Sequence, residues 1–379
     1  MTRYDVIVLG GGIIGSSLAE ELARRGQRVC LVESRTIGSE ASKAAAGILS
    51  AQMDVDRPGP FFELCQAASR LYPQWIKRIE RHSRLRVGYH REGVLYLAYT
   101  SAEVRSMERR ARWQRKAGLP VERWTSRQVC RREPNLAGKM AAGFFFPAEG
   151  QVDNAKLMEA LAVACRQAGV RALEHTEALR LSTRGDRVVG VRTQQGALAA
   201  PVVVNCLGSW AGLKHLTMPT PPVVPARGQI LVFRPAPGFF RTAVMSELAY
   251  GVQRRDGRLL VGSTIEFVGY RKQLTADGMR SILAGFAHMV RPEALAQCAF
   301  EEAWAGLRPC SQDRLPILGR TALEGLYVAS GHFRHGILLA PMTAQLMADL
   351  ILTGRSSCAI DLAGFSIARF AKIPRSFSR

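Results

Sequence analysis

Tyr4-Asp5-Val6-Ile7-Val8-Leu9-Gly10-Gly11-Gly12-Ile13-Ile14-Gly15 decides the fold. Its first half is a short apolar run, the pattern of a strand buried on both faces. Its second half is a glycine turn opening a helix, with Ile14, Leu18 and Leu22 on one face and Gly26 as the stop. Residues 28–32 form a second buried strand, closed by Glu33, 18 residues after Gly15. Strand, turn, helix and strand within about 30 residues make a βαβ unit with a right-handed crossover. Gly10 permits the tight turn, Gly12 lets backbone approach a pyrophosphate, and Gly15 lets helix and strand pack closely. The helix start offers N–H groups and a positive dipole end to phosphates. Glu33 can accept hydrogen bonds from both ribose hydroxyls of an adenosine, and its charge repels a 2′-phosphate. The pattern reads as a dinucleotide site and leaves FAD and NAD undecided.

Similar strand-to-glycine turns recur further along. Residues 199–206 run into Leu207-Gly208, and residues 326–330 run into Gly331 ahead of a long helix over 336–352. Between them lie segments that alternate as antiparallel strands: 93–99, 228–233, 249–253 and 258–263, the last two joined by a turn at Asp256-Gly257. Helical spacing marks Phe61, Leu64, Ala68, Leu71, Trp75 and Ile79, then residues 101–118, 155–168 behind an Asp153 cap, and 275–290 ahead of Pro292. Pro219, Pro221, Pro222 and Pro225 mark a crossing between domains. At roughly 150 residues per domain, a chain of 379 predicts two. The expected class is α/β: a Rossmann-like domain assembled from residues 1–80, 147–217 and 302–365, with an inserted antiparallel β-sheet substrate domain over 81–146 and 218–301, and a basic tail over 366–379.

A hydrophobic fraction of 47%, a charged fraction of 22%, 35 Gly and 18 Pro exclude a disordered chain, a collagen and a coiled coil. No unbroken apolar run approaches the roughly 18 residues that span a bilayer. The net charge of +21 comes mostly from Arg, 44 of the 52 basic residues. Such a balance suits nucleic acid, an anionic membrane surface or anionic substrates; a solvated basic surface from an Arg-rich proteome is the plainer account. The stripe Arg105, Arg109, Arg112 and Lys116 reads the same way. Eight Cys are scattered without a CxxC pair or a Cys/His cluster of metal-binding spacing, as in a reducing compartment. Met-Thr-Arg-Tyr-Asp enters the first strand directly, so the expected location is the cytoplasm.

Four further stretches carry a family likeness: Ser42-Lys43-Ala44-Ala45-Ala46-Gly47-Ile48-Leu49, Trp304-Ala305-Gly306-Leu307-Arg308-Pro309, Pro316-Ile317-Leu318-Gly319, and Gly331-His332-Phe333-Arg334-His335-Gly336-Ile337-Leu338. With the first motif, they make the chain resemble the D-amino-acid oxidase family of FAD-dependent oxidoreductases, nearest to its glycine-oxidase branch, which serves thiamine biosynthesis. The likeness runs from about residue 3 to 365. It implies a glutathione-reductase-like domain holding non-covalent FAD. Gly10, Gly12, Ile13, Ile14, Gly15, Glu33, Ser34 and Arg35 would take the ADP half, with Ala178 and Gly208 nearby. Ala45, Ala46, Gly47 and Leu49 would lie along the flavin, and the turn His332, Phe333, Arg334, Gly336, Ile337 and Leu338, exposed by its composition, would meet the flavin's N1/O2 edge.

The resemblance further implies that Arg308 grips the substrate carboxylate through two parallel charge-assisted bonds, that Tyr250 adds a hydroxyl contact, and that Arg334 lies close by. No side chain is expected to act as acid or base: hydride passes from Cα to flavin N5, the imine hydrolyses, and O2 becomes hydrogen peroxide. The family also implies a homotetramer. Leu248 stands where the branch's best-known pattern has His, Ile265 replaces a flavin-facing Met, and Arg254 follows Gln253 rather than Pro. The pocket is therefore more apolar, and sarcosine, D-alanine or D-proline join glycine as candidate substrates. A Gly306 at the place where related oxidases anchor FAD through Cys argues against Cys310 as an anchor. Two other readings stay open: a dehydrogenase passing electrons to a membrane quinone through contact with the lipid surface, and a tRNA-acting flavoprotein, although no nucleic-acid partner is required.

Overall fold

Val6–Leu9, Val29–Val32 and Val202–Asn205 are short, apolar and almost wholly buried, which suits strands covered on both faces. In the computed structural model, which describes residues 3–213, 220–356 and 360–371, they form the centre of a six-stranded sheet. The order is Ile317–Arg320, Leu326–Ser330, Val202–Asn205, Val6–Leu9, Val29–Val32, Arg171–Leu173. All neighbours are parallel except the edge strand Ile317–Arg320. Val202–Asn205 thus sits between the first strand and the last parallel one, so the three strand-to-glycine turns open along one edge. The helices Ile13–Arg24, Pro60–Ser83 and Gly336–Thr353 share one core on this sheet, with Leu18, Leu22, Leu64, Ile79, Leu339 and Leu346 fully buried. Arg78 and Arg25 tie the first helix to the other two through Glu20 and Asp349. Gly336–Thr353 is long and apolar enough to cross a membrane, and two thirds of it is buried inside the fold.

The second sheet has eight strands, ordered Ala299–Ser311, Val223–Arg234, Leu259–Gly262, Tyr250–Gln253, Ala243–Met245, Val94–Ala98, Ala142–Phe146, Glu122–Trp124. It is antiparallel, as expected, save for one parallel pair between Ala243–Met245 and Val94–Ala98. The expected turn at Asp256-Gly257 is present, closed by the Arg254 amide donating to Arg258 O at 2.7 Å. Ala299–Ser311 differs from the sequence reading, which placed residues 302–311 with the dinucleotide domain. Its 13 residues pair along Val223–Arg234 at the sheet edge, the position that tolerates Pro309. A third sheet, Ala178–Arg184, Arg187–Thr193 and Gly196–Ala199, holds a first strand that the periodicity missed. The helix Ser101–Lys116 presents Arg105, Arg109, Arg112 and Lys116 to solvent. Pro219, Cys358, the boundary at 217/218 and tail residues 372–379 lie outside the described residues.

One buried acid steadies the loop that brings Asp54 to the junction of these sheets. Glu149 accepts the amides of Gln52 at 2.6 Å and Met53 at 2.9 Å through Oε1, while Oε2 has no hydrogen-bond partner. Burial pushes its acid pKa up to about 8, against the pull of the two amides. The folded value lies above the unfolded one, so the contribution to stability is present below the ordinary carboxylate range and is lost as pH rises through about 8. Glu149→Gln keeps an accepting oxygen and removes the titration. Its Tm relative to the parent protein should climb between pH 6 and 9, a trend that thermal unfolding at fixed ionic strength measures and that a flat difference would contradict.

Candidate active site

The first turn needs glycine for contact as well as conformation. Gly10 has φ +100°, and a Cβ on Gly15 would lie 1.9 Å from Gly10 O. Gly12 gives the first helix no capping side chain, and Ser42 Oγ accepts the Ile13 amide at 2.8 Å. Glu33 accepts the amides of Gly11 at 2.7 Å and Arg35 at 2.9 Å, which fixes its carboxylate at the end of the second strand.

A cavity of about 1080 Å³ begins there and runs the length of the strand ends. Gly10, Gly12, Ile13, Ile14, Glu33, Ser34, Arg35, Ala178 and Gly208 line one end. Ala45, Ala46 and Gly47 line its middle, facing the turn that carries His332, Phe333, Arg334, Gly336 and Ile337. Tyr250 and Arg308 line the far end. Gly15, Leu49 and Leu338 do not reach the cavity: Gly15 serves packing, and both leucines are buried in the core beneath. Arg254, fully enclosed, donates to Ala46 O, Val152 O, Gln151 Oε1 and Asn154 Oδ1, and so fixes the Ala45–Gly47 bend from behind. Burial lowers its pKa to about 10.

The turn before the last helix corrects one expectation. Read as exposed, His332 is only 2% accessible. Its Nε2 lies 3.1 Å from Thr343 Oγ1, and burial drives its pKa down to about 3, so the ring is neutral. His335 caps the helix without a side-chain hydrogen bond, which leaves the helix start facing the cavity.

Arg308 and Arg334 differ in what holds them. Arg334 pairs with Asp54; burial alone would raise that carboxyl, but Arg334 and His335 keep it below its ordinary value. Arg308 has neutral partners, donating to Ser263 Oγ at 2.7 Å and Thr264 O at 3.1 Å. It lies across Gly228, where a Cβ would come within 2.1 Å of the guanidinium. Burial lowers its pKa, yet a guanidinium starts so high that it stays charged. Tyr250 lies flat on Gly262 beside it, its pKa raised by burial, so the phenol keeps its proton. Leu248 and Ile265, 49% and 47% exposed, line the same end as an apolar rim. Gly228, Gly262, Ser263 and Thr264 carry no local signal of a site, because pairing across strands brings them beside Arg308, and Ser42 gains its role by reaching the Ile13 amide from a separate short helix.

The model of a family described as FAD dependent oxidoreductase matches residues 5–350. The chain belongs to this family. The glycine oxidase of Geobacillus kaustophilus is 35% identical over 371 residues, covering 97% of each chain. The crystal structure of glycine oxidase from that organism superposes with a TM-score of 0.92 at 34% identity, covering 97% of this chain and 99% of that one. A bifunctional ThiO/ThiG protein of Synechocystis is 36% identical over 376 residues, and the chain spans 54% of its length.

The site fits FAD on its own geometry. Two helix starts face one elongated cavity, Gly208 and Gly336 leave the backbone bare, and an acid stands at the ribose end. In the FAD reading, Glu33→Ala would remove hydrogen bonds that the ribose hydroxyls donate to a charged acceptor, each contributing about 1.5–3 kcal/mol. FAD binding should weaken by at least about tenfold, read by titrating apoprotein with FAD. Acid precipitation should release the colour from the parent protein into the supernatant.

Proposed function

We propose that the protein oxidises glycine at its α-carbon, giving glyoxylate, ammonia and hydrogen peroxide from glycine, O2 and water, and that this serves the making of the thiamine thiazole. The observation that carries this reading is the Arg308 guanidinium, charged, enclosed and held by two neutral acceptors at the end of the cavity. A substrate carboxylate would supply the missing counter-charge in bidentate geometry, and the neutral Tyr250 hydroxyl would donate a further bond to it. Bound FAD supplies the two-electron acceptor between the α-carbon and O2.

The residues of this chain do the positioning. Arg308 and Tyr250 would set the carboxylate, and Leu248 and Ile265 would exclude water from the side where the α-carbon lies. Ala45, Ala46 and Gly47, held by Arg254, leave a flat wall with no bulky side chain for the ring system. Gly10, Gly12, Glu33 and the start of the first helix would take the ADP half. The last helix would bring its positive end to the ring's anionic edge on reduction. The same apolar rim admits one extra methyl, which makes sarcosine and D-alanine secondary substrates of this reading.

Arg308→Lys keeps a charge and loses the planar fork. Truncating a buried charge pair costs about 2–5 kcal/mol, so the KM for glycine should rise at least about thirtyfold. Peroxide formed should match O2 consumed. An unchanged KM, or turnover only with an artificial acceptor, would sink the assignment.

A further inference from the structure

Arg308 stands on an edge strand, and the two atoms that aim its guanidinium, Ser263 Oγ and Thr264 O, belong to the loop after Leu259–Gly262. That loop is tied down from its far side. The Glu266 carboxylate accepts four hydrogen bonds: from Arg227 Nε at 3.0 Å, an Arg227 terminal nitrogen at 2.8 Å, Gln229 Nε2 at 3.0 Å and Thr264 Oγ1 at 2.7 Å. The backbones of Arg227 and Glu266 exchange N–H···O bonds of 2.8 and 2.9 Å. Thr264 Oγ1 also accepts the Gln229 amide at 3.1 Å, so its hydroxyl is fixed as donor and acceptor together. The other terminal nitrogen of Arg227 donates to Gln273 O at 2.9 Å. Arg227 and Gln229 are buried on the strand Val223–Arg234, immediately flanking Gly228, the residue that leaves room for Arg308.

The electrostatics explain the division of labour. A carboxylate placed against Arg308 would hold it rigidly but would compete with an incoming carboxylate. Here the ion pair is formed one residue away: hydrogen bonds from Arg227 hold Glu266 down to about 2, so it stays ionised and committed to Arg227. Only neutral oxygens are passed on to Arg308. The rigidity of a half-buried charged network thus reaches the guanidinium without its negative charge.

We propose that Arg227, Glu266 and Gln229 form a positioning network which, acting through Thr264, sets the Arg308 guanidinium to receive the substrate carboxylate. The proposal rests on Arg308 being the carboxylate ligand.

The test uses purified FAD-loaded enzyme carrying Glu266→Gln or Thr264→Val. For each, KM and kcat for glycine are measured with the Kd of acetate, read from the perturbation of the flavin spectrum. Glu266→Gln should raise the KM and the acetate Kd together by about tenfold, with kcat changed less than about twofold. Thr264→Val removes one hydroxyl and keeps the carbonyl, and should shift both constants the same way by about threefold. It carries the test alone if Glu266→Gln does not fold. A merely structural role would lower Tm and active fraction while leaving KM and acetate Kd unmoved, and that result overturns the proposal. If Arg308→Lys itself leaves acetate binding intact, the underlying carboxylate reading has failed; if Arg308→Lys weakens it and both network variants do not, only the positioning role has failed.

Discussion

A half-buried positive charge with no acidic partner among the described residues is costly, and Arg308 is held in that condition by the whole far sheet. The edge strand delivers it, Gly228 on the neighbouring strand yields the space, and the Ser263–Thr264 loop offers oxygens that are polar but uncharged. Arg254 and Arg227 show what the same side chain looks like when it serves structure. The first is saturated by four neutral acceptors, and the second is matched by Glu266. Arg334, at the cavity wall, is balanced by Asp54. Arg308 differs from Arg254 in lining the cavity with only two neutral acceptors, which leaves its fork open to an anion in the reading proposed above.

The dinucleotide end follows the opposite principle. There the chain withdraws side chains and presents backbone: glycines at the first turn, alanines along the middle, and two helix starts facing the cavity whose N-cap residues make no side-chain hydrogen bond. The parallel sheet makes this possible by aligning the carboxyl ends of its strands on one side, where turns from distant parts of the chain converge. The two ends of the cavity are thus built by different means, one from bare backbone and one from a positioned charge.

Much of this was legible in the residues. The first turn, with Glu33 in register, is legible because its glycine spacing is a local pattern, and the structure gives the clearest contact reason at Gly15, where a Cβ would meet Gly10 O. Elements with strong periodicity, such as Pro60–Ser83 and Ala276–Met289, fell where their apolar spacing put them. Ala299–Ser311 shows no such signal, because Ala, Gly and Pro blur its alternation, and only its pairing along Val223–Arg234 places residues 302–311 in the second sheet. His332 looked exposed beside Arg334, and the packing of the last helix buried it.

A family resemblance singled out the arginine in Gly306-Leu307-Arg308-Pro309, and the sequence by itself determined the dinucleotide turn and the alternation of buried and antiparallel strands. These depend on neighbours within a few residues, where spacing and chemistry are tied by chain geometry. Only the tertiary structure decided that Arg308, at the cavity, meets neutral oxygens while Arg334 and Arg227 meet carboxylates. That depends on Asp54 meeting Arg334 and Glu266 meeting Arg227 across separations of 280 and 39 residues, pairings that strand register and burial select and that no local pattern encodes.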